Sequence, residues 1–402
     1  MKRHLRIGGA VAALAGISLF ASACAGGGDG GTTPPDTERS SRTAEDATGR
    51  VAVSYSGGIA VLDPGTLEVV DEFATEEFTR LNAFGDGRTI AVTTSEGFQM
   101  LDTAAPSLTD ARFAAEAAGH VVVHGERTVL FDDGTGTTTI VPTAGFADGY
   151  EALPETTTHT AEAPHHGVSI VLEDGALLTT VGDETSRSGA QVLHPHDDHW
   201  HAEAANDECP GIHGEGTAAD EAVVFGCEDG ALLFTDGAFT KLAAPDDYGR
   251  MGNAFVTDTS PIVVGDYNDD PDAEGYLLNA VTLIDTAAKT LEVVELPAEV
   301  QYTFRDLARG PGDLAYILST DGQIHVLDPE TGELTRSFPV IAPWEGPAEW
   351  QDAHPAIKVD GEIAYITEPA ANRVHAVDLT TGEQVASVEL DRTPNELAIA
   401  LG

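Results

Sequence analysis

The chain has 402 residues, enough for a large core, and it is strongly acidic: 20 Lys and Arg stand against 67 Asp and Glu, a formal net charge of −47. Such a charge repels nucleic acid and anionic lipid surfaces, so neither is expected as a partner, and it concentrates cations near the protein. Surface carboxylates also keep proteins soluble in a salty or acidic exterior, so the charge alone does not indicate a metal-binding function.

Residues 1–23 have the pattern of an export signal. Three basic residues precede an apolar run, residues 7–20, which is shorter than the roughly 20 residues needed to span a bilayer. Small residues and Cys24 follow, as in bacterial lipoprotein signals, a resemblance that implies cleavage before Cys24 and lipid attachment there. Ala21 stands where such signals usually have Leu, so plain secretion after Ala23 is the alternative. We predict an exported protein, lipid-anchored on the outer face of the cytoplasmic membrane or located in the periplasm or at the cell surface.

Residues 24–49 are predicted to be a flexible, lipid-anchored tether. The segment is rich in Gly, Thr, Pro, Ser and charge and has almost no apolar content with which to build a core. A tether of this length has a root-mean-square span of about 25 to 30 Å, which lets a following domain move beside a membrane.

Residues 50–402 repeat one β-rich pattern and are predicted to form a single domain. Each unit has a strand, an Asp-Gly or similar turn, a second strand ending in Leu-Asp or Val-Asp, a polar turn and a third strand; the clearest copies are residues 314–338 and 362–390. A four-stranded unit recurring every 40 to 45 residues or so is typical of a β-propeller, an all-β fold. Eight units are counted, starting near residues 50, 80, 117, 164, 210, 250, 303 and 350. Seven blades are the alternative, because the third and fourth units are degenerate.

The two ends of the repeat region are predicted to close the ring. The first unit lacks its innermost strand, and residues 393–400 at the end of the chain match that strand type. Pairing between them would remove the open sheet edges that invite aggregation. The phrasing of residues 377–382, Val-Asp-Leu-Thr-Thr-Gly, is similar to propellers of the YVTN kind, a likeness of fold only.

Residues 194–201, His-Pro-His-Asp-Asp-His-Trp-His, have the composition of a metal-binding segment. Imidazole suits Zn(II), Cu(II) and Ni(II), and the two carboxylates can ligate or support a ligand. A solvated acidic loop that is incidentally His-rich is the alternative. Because Pro195 disfavours regular structure, we expect a mobile, exposed loop with four candidate ligands: His194, His196, His199 and His201.

A second candidate metal site is predicted inside the propeller. The residues that open the innermost strands gather at one mouth of the central channel, and four of them can bind a metal: His166, His213, Asp306 and His354. His165 competes with His166 for the inward position, and each of these residues can instead be a structural strand cap. Glu215, beside His213, is a candidate ligand or supporting partner.

Cys209 and Cys227 are the only cysteines after Cys24. Exported thiols seldom stay free, so a disulfide is predicted, with two zinc thiolate ligands as the alternative.

The chain resembles the exported zinc metallochaperones of the AztD type. The features that carry the resemblance are the signal sequence, the propeller pattern, residues 194–201, and the element Cys-Pro-Gly-Ile-His-Gly-Glu at residues 209–215 with Cys227. The resemblance implies a zinc-binding β-propeller that hands Zn²⁺ to the solute-binding protein of a zinc ABC importer. It also implies that His213 belongs to a buried site and residues 194–201 to a mobile one. The Lys-poor, Asp-rich surface departs from the family's expected pattern.

The sequence leaves three candidate functions. The first is a zinc-binding delivery protein that acts as a monomer and is not an enzyme. The second is a metal-dependent or quinoprotein-like propeller enzyme, against which the sequence has no nucleophile elbow and no clear acid/base pair. The third is a structural or adhesive surface propeller whose histidines are incidental.

Overall fold

Eight antiparallel sheets form the blades of a ring in the computed structural model, which describes residues 49–196, 199–273 and 275–401. The predicted eight-bladed β-propeller is confirmed, and the seven-bladed alternative is wrong. The degenerate third and fourth units each form a complete four-stranded sheet. The predicted signal, Cys24 and nearly all of the predicted tether lie outside the described residues.

The first four blades contain strands β1 to β15. In chain order these are β1 (Val51–Tyr55), β2 (Gly58–Leu62) and β3 (Val69–Ala74) in blade 1; β4 (Leu81–Ala83), β5 (Thr89–Thr94), β6 (Gly97–Asp102) and β7 (Ser107–Ala114) in blade 2; β8 (Ala118–His124), β9 (Arg127–Asp132), β10 (Thr137–Pro142) and β11 (Thr157–Thr160) in blade 3; and β12 (Ser169–Val171), β13 (Leu177–Gly182), β14 (Arg187–His196) and β15 (His199–Asn206) in blade 4.

The other four blades contain strands β16 to β32. They are β16 (His213–Ala218), β17 (Ala222–Cys227), β18 (Asp229–Thr235) and β19 (Ala238–Ala243) in blade 5, with β20 (Gly249–Arg250) beside β18; β21 (Ala254–Phe255), β22 (Ile262–Tyr267), β23 (Ala280–Asp285) and β24 (Thr290–Glu295) in blade 6; β25 (Leu307–Arg309), β26 (Ala315–Leu318), β27 (Gln323–Asp328) and β28 (Glu333–Pro339) in blade 7; and β29 (Ala356–Asp360), β30 (Ile363–Glu368), β31 (Arg373–Asp378) and β32 (Glu383–Glu389) in blade 8.

The last strand, β33 (Leu397–Ile399), closes the ring as predicted. It is the innermost strand of blade 1 and pairs antiparallel with β1, with Val51 opposite Ile399 and Val53 opposite Leu397. The described residues include four short 3-10 turns, at Thr143–Phe146, Ala219–Glu221, Pro311–Asp313 and Pro369–Ala371. None of the helical segments in the described ranges has the length and apolar content needed to cross a membrane.

The core lies between neighbouring blades. Each sheet has two faces and packs against a blade on either side, so the central strands are apolar throughout; all six residues of β17 are buried. Between blades 7 and 8, for example, Tyr316 and Ile324 pack with Ile357 and Ile366. Sheet packing of this kind fixes each innermost strand: β33, β4, β8, β12, β16, β21, β25 and β29. Because these strands share one direction around the ring, their first residues meet at the same end of the central channel.

Candidate metal centre

Three histidines from three consecutive blades form a compact cluster at that end of the channel. His120 lies on β8, His166 precedes β12 by three residues, and His213 begins β16. Their ring centroids are 5.1 Å apart in each of the three pairs. One ligand atom from each lies within 4.8 Å of the other two. For three imidazoles bound tetrahedrally to one zinc ion at about 2.05 Å, the expected separation between ring centroids is about 5.2 Å. The cluster already has the dimensions of a three-histidine zinc site.

Hydrogen bonds orient two of the three rings. His213 donates its Nδ1 proton to the carbonyl oxygen of Gly252 at 2.6 Å, and His166 donates its Nδ1 proton to Asp133 Oδ2 at 2.5 Å. An acceptor at Nδ1 leaves the lone pair of a neutral imidazole on Nε2, and such partners are typical of histidines that bind metal.

The two Nε2 atoms of His213 and His166 lie 3.1 Å apart. With both Nδ1 atoms protonated, two neutral rings would direct lone pairs at each other over this distance, which is repulsive. A cation shared by the two atoms removes the repulsion, and two zinc ligands at tetrahedral angles have nitrogen atoms about 3.3 Å apart. This contact indicates a binding position for a cation.

The backbone around His213 is fixed by a disulfide and by a buried carboxylate. Cys209 and Cys227 form the predicted disulfide, with Cα atoms 5.0 Å apart, and His213 pairs with Gly226, the residue directly before Cys227. Asp266 Oδ1 accepts hydrogen bonds from the backbone N–H groups of residues 252 and 253, the turn whose carbonyl receives the His213 proton.

Gly214 allows the chain to approach this turn. It has a φ of +66°, and a Cβ at this position would lie 2.5 Å from the carbonyl oxygen of Gly252. A residue other than glycine would therefore displace the acceptor that orients His213.

Burial keeps two of the rings neutral. It is the main cause that lowers the pKa of His213 to about 3, and the hydrogen bond to Gly252 opposes this only in part. Burial also holds the pKa of His120 well below its usual value, and the other two rings, Arg80 and Arg187 add to the effect. Neutral imidazole is the form that binds metal, so protons do not compete for these two rings near pH 7.

No protein-family model matches the chain. It is 24% identical over 307 residues to the zinc chaperone AztD of Citrobacter koseri, an alignment that covers 75% of this chain and 70% of that protein. The structure of apo AztD from the same organism superposes with a TM-score of 0.72 at 19% identity, covering 87% of this chain and 97% of that one. The resemblance to AztD is confirmed.

The propeller fold also occurs in an enzyme. The structure of the dihydro-heme d1 dehydrogenase NirN in complex with DHE has a TM-score of 0.58 at 12% identity, covering 91% of this chain and 78% of that one. A fold shared by AztD and NirN leaves the function to be argued from the site.

Sequence reasoning omitted His120 from the predicted channel site. A signal was available, because His120, His166 and His213 each fall two or three residues after the expected start of their units, near residues 117, 164 and 210. His165 is the buried neighbour: its Nε2 lies 3.0 Å from Thr180 Oγ1, and His166 is the member of the pair that joins the cluster.

Asp306 and His354 lie elsewhere on the ring. They precede β25 and β29, in blades 7 and 8, whereas the histidine cluster belongs to blades 3 to 5. Asp306 is fully buried and accepts hydrogen bonds from Thr303 through its Oδ2, and His354 donates from Nδ1 to the carbonyl oxygen of Asp352. Equivalent positions in distant blades share one end of the channel but are separated by its width.

Glu215 stands close in sequence but outside the cluster of ligand atoms found among the described residues. It lies on β16, two residues after His213, and burial raises its pKa to about 7.

Residues 194–196 and 199–201 belong to two paired strands, β14 and β15, and not to the irregular loop expected from Pro195. Pro195 lies within β14 and is paired with Trp200 of β15. The preceding strand, β13, pairs with β14 only as far as Leu193. On that side, therefore, no hydrogen bond is lost because Pro195 lacks an N–H. Asp197 and Asp198, between the two strands, lie outside the described residues.

The hairpin register places all four predicted histidine ligands on one face. His194 is opposite His201 and His196 is opposite His199, while alternate residues of a strand share a face. The rings of His196 and His199 have centroids 5.2 Å apart, and His194 Nε2 lies 2.7 Å from Glu203 Oε2. On the other face, Trp200 donates to the carbonyl oxygen of Thr158 in blade 3, which anchors the hairpin.

Proposed function

We propose that this protein is an extracytoplasmic zinc carrier that delivers Zn²⁺ to the solute-binding protein of a zinc ABC importer. The single observation that carries the proposal is the cluster of His120, His166 and His213, in which the Nε2 atoms of His166 and His213 lie 3.1 Å apart. The similarity to the zinc chaperone AztD supports zinc as the cargo.

The channel cluster suits storage of the ion. Three imidazole ligands satisfy zinc's preference for nitrogen and leave a fourth position for water or for a ligand from a partner. Two of the ligands belong to innermost strands and the third lies just before one, so the site persists without metal. A carrier needs this property, because its fold must survive release of the cargo.

The four-histidine face of the hairpin suits exchange. Its rings are exposed or half-exposed, so they can join a partner's coordination sphere before the channel ligands let go. Imidazole binds a metal ion only in its neutral form.

The location and partners belong to the same proposal. The export signal, cleavage before Cys24 and a lipid anchor would hold a monomer beside the outer face of the cytoplasmic membrane. The net charge of −47 disfavours nucleic acid and anionic lipid surfaces as partners.

A zinc titration tests the channel site. We expect the purified protein, stripped of metal, to bind one tight equivalent that His213→Ala loses while its circular dichroism spectrum is unchanged. The matched control is His325→Ala, on β27, a histidine paired with Asp321 outside the cluster. A His213→Ala protein that keeps the tight equivalent would refute the assignment.

A transfer experiment tests the hairpin. Replacing His194, His196, His199 and His201 together by Ser should slow stopped-flow zinc transfer to the solute-binding protein and leave the channel equivalent in place. An unchanged transfer rate would show that the hairpin has no part in delivery.

A metal-dependent enzyme is the second candidate function. The observation in its favour is the open fourth position of a three-histidine site, which is also typical of catalytic zinc. Turnover of lactone, phosphate or amine substrates by the zinc-loaded protein, lost in His213→Ala, would favour this alternative over delivery.

A further inference from the structure

Four charged side chains form a second cluster, on or just before the innermost strands of the other half of the ring. Arg80 directly precedes β4, Arg305 precedes β25 by two residues, Lys358 lies on β29, and Glu396 directly precedes β33. They belong to blades 2, 7, 8 and 1, and we call them the basic cluster. Since innermost strands begin at the same end of the channel, the basic cluster and the three histidines share that end.

Glu396 joins the two arginines. Arg305 Nη2 lies 2.6 Å from Glu396 Oε1, and Arg80 Nε lies 3.9 Å from the same oxygen. Arg305 also donates to Asn395 Oδ1 at 2.7 Å and to the carbonyl oxygen of Trp350 at 3.2 Å. Arg305 is therefore held rigidly, 8% exposed, with its charge paired.

Lys358 has no such pairing. Its Nζ atom forms no hydrogen bond or ion pair with the described residues. The charged groups that influence it electrostatically are Glu396, Arg80 and Arg305. The side chain is exposed, as expected for a lysine that faces the channel. The pKa of Lys358 is lowered, first because the surrounding protein removes part of its hydration and then because of the two arginines.

The charge balance of the cluster is unusual for this chain. Three cationic side chains are opposed by one carboxylate, in a protein whose formal net charge is −47. Like charges held close together are unfavourable unless an anion neutralises them.

We propose that the basic cluster binds a small oxyanion, a carboxylate or a phosphate, between Lys358 and Arg80. Lys358 supplies a free ammonium group, and Arg80, with a side chain 39% exposed, supplies a guanidinium whose planar N–H groups match oxyanion geometry. Glu396 lies beside Arg80 and is itself held by Arg305, and neither residue needs to contact the anion.

The anion site lies close to the zinc site. Arg80 directly precedes β4 of blade 2, and the neighbouring blade 3 carries His120 on its innermost strand β8. An anion held there would partly neutralise Zn²⁺ and the basic cluster at once. This consequence rests on the proposed function, but the binding of an anion by the basic cluster does not.

Calorimetric titration of citrate and of inorganic phosphate into metal-free protein tests the proposal, at constant ionic strength set with sodium chloride. The two anions distinguish a carboxylate site from a phosphate site. We expect saturable binding of one of them, weakened about tenfold or more in Lys358→Gln and in Arg80→Gln, since each loses a charged hydrogen-bond donor. The control is Arg373→Gln, which removes an exposed cation paired with Glu389 on the outer part of blade 8 and should bind as the unchanged protein does.

Two results would overturn the proposal: no saturable binding of either anion by the unchanged protein, or equal binding by Lys358→Gln and the unchanged protein. Lys358→Gln should fold, because the substitution removes a positive charge from beside two arginines. A thermal midpoint equal to or above that of the unchanged protein would support a role of Lys358 in binding and not in stability. Because the titration uses metal-free protein, failure of zinc binding would leave its result intact.

Discussion

Replacing His120 by Ala is the sharpest test of the channel site, because the residue was recognised only from the structure. His120 supplies one of three nitrogen ligands, with its ring centroid 5.1 Å from each of the other two. Zinc sites of four ligands bind with about 10 to 16 kcal/mol, so one imidazole accounts for about 3 kcal/mol, or a loss of about a hundredfold in affinity.

Thermal unfolding with added zinc measures this loss. At a free zinc concentration of about 1,000 times Kd, binding stabilises the unchanged protein by about 4.1 kcal/mol, and after a hundredfold loss of affinity by about 1.4 kcal/mol. For a domain of about 350 residues, the difference of about 2.7 kcal/mol corresponds to a zinc-dependent rise in Tm that is about 4 °C smaller. Without zinc, the two proteins should unfold at nearly the same temperature.

The matched control is His124→Ala. His124 lies at the end of the same strand, and its Nε2 is 2.8 Å from Glu221 Oε1, outside the histidine cluster. Its zinc-dependent rise in Tm should equal that of the unchanged protein. If His120→Ala keeps the full rise, or if both variants lose it equally, the reasoning from the three-histidine geometry is refuted.

The other predictions concern the support of the site and the stability of the fold. Asp133→Asn should weaken zinc binding about 10- to 100-fold through the lost orientation of His166, as a competition titration with a chelator would measure, and unchanged affinity would contradict the role of Asp133. Cys209 and Cys227 should resist thiol reagents until reduced, and reduction should cost about 3 kcal/mol of stability, as expected for a bridge across a sequence separation of 18; two reactive thiols before reduction would contradict this. Burial raises the pKa of Asp306 to about 8, so the folded state holds its proton between about pH 4 and pH 8 while the unfolded state does not, and stability falls as the pH rises through this range. Asp306→Asn should remove that fall and bind zinc normally, and chemical denaturation at pH 5 and pH 8.5 would show whether its advantage grows with pH.

The fold was predictable because each blade carries its own local signals. Asp-Gly turns and strands ending in Leu-Asp or Val-Asp mark the units even where their apolar alternation is weak, and the missing first strand was matched by residues 393–400. Turn chemistry is a property of a few adjacent residues, so it can be read without knowledge of long-range contacts.

The ligand set was harder to predict, because it depends on position around the ring. His166 and His213 were identified from their places before innermost strands, and the same rule selected Asp306 and His354 from blades too distant to share an ion. His120 has no neighbouring cysteine or acidic motif to single it out. The sequence indicates how far along the channel axis a residue lies. Which residues face each other around the channel follows only from the order of the blades in the closed ring.

The irregular loop predicted from Pro195 was wrong for a related reason. The effect of this proline depends on whether a neighbouring strand needs the missing N–H, and here the pairing of β14 with β13 ends at Leu193. The local prediction of an irregular loop was wrong, but the spacing of the histidines by two gives the hairpin its single ligand face.

The same architecture explains why zinc in this protein would be cargo and not a structural ion. A structural zinc holds together segments that are unfolded without it. Here the segments that bear the three ligands are held by other means: β33 pairs with β1 to close the ring, the Cys209–Cys227 disulfide fixes the approach to His213, and packing between blades fixes the innermost strands. The Nε2 atoms of His166 and His213 are held 3.1 Å apart by segments whose positions do not depend on an ion, so a zinc ion could enter and leave at little cost to the fold.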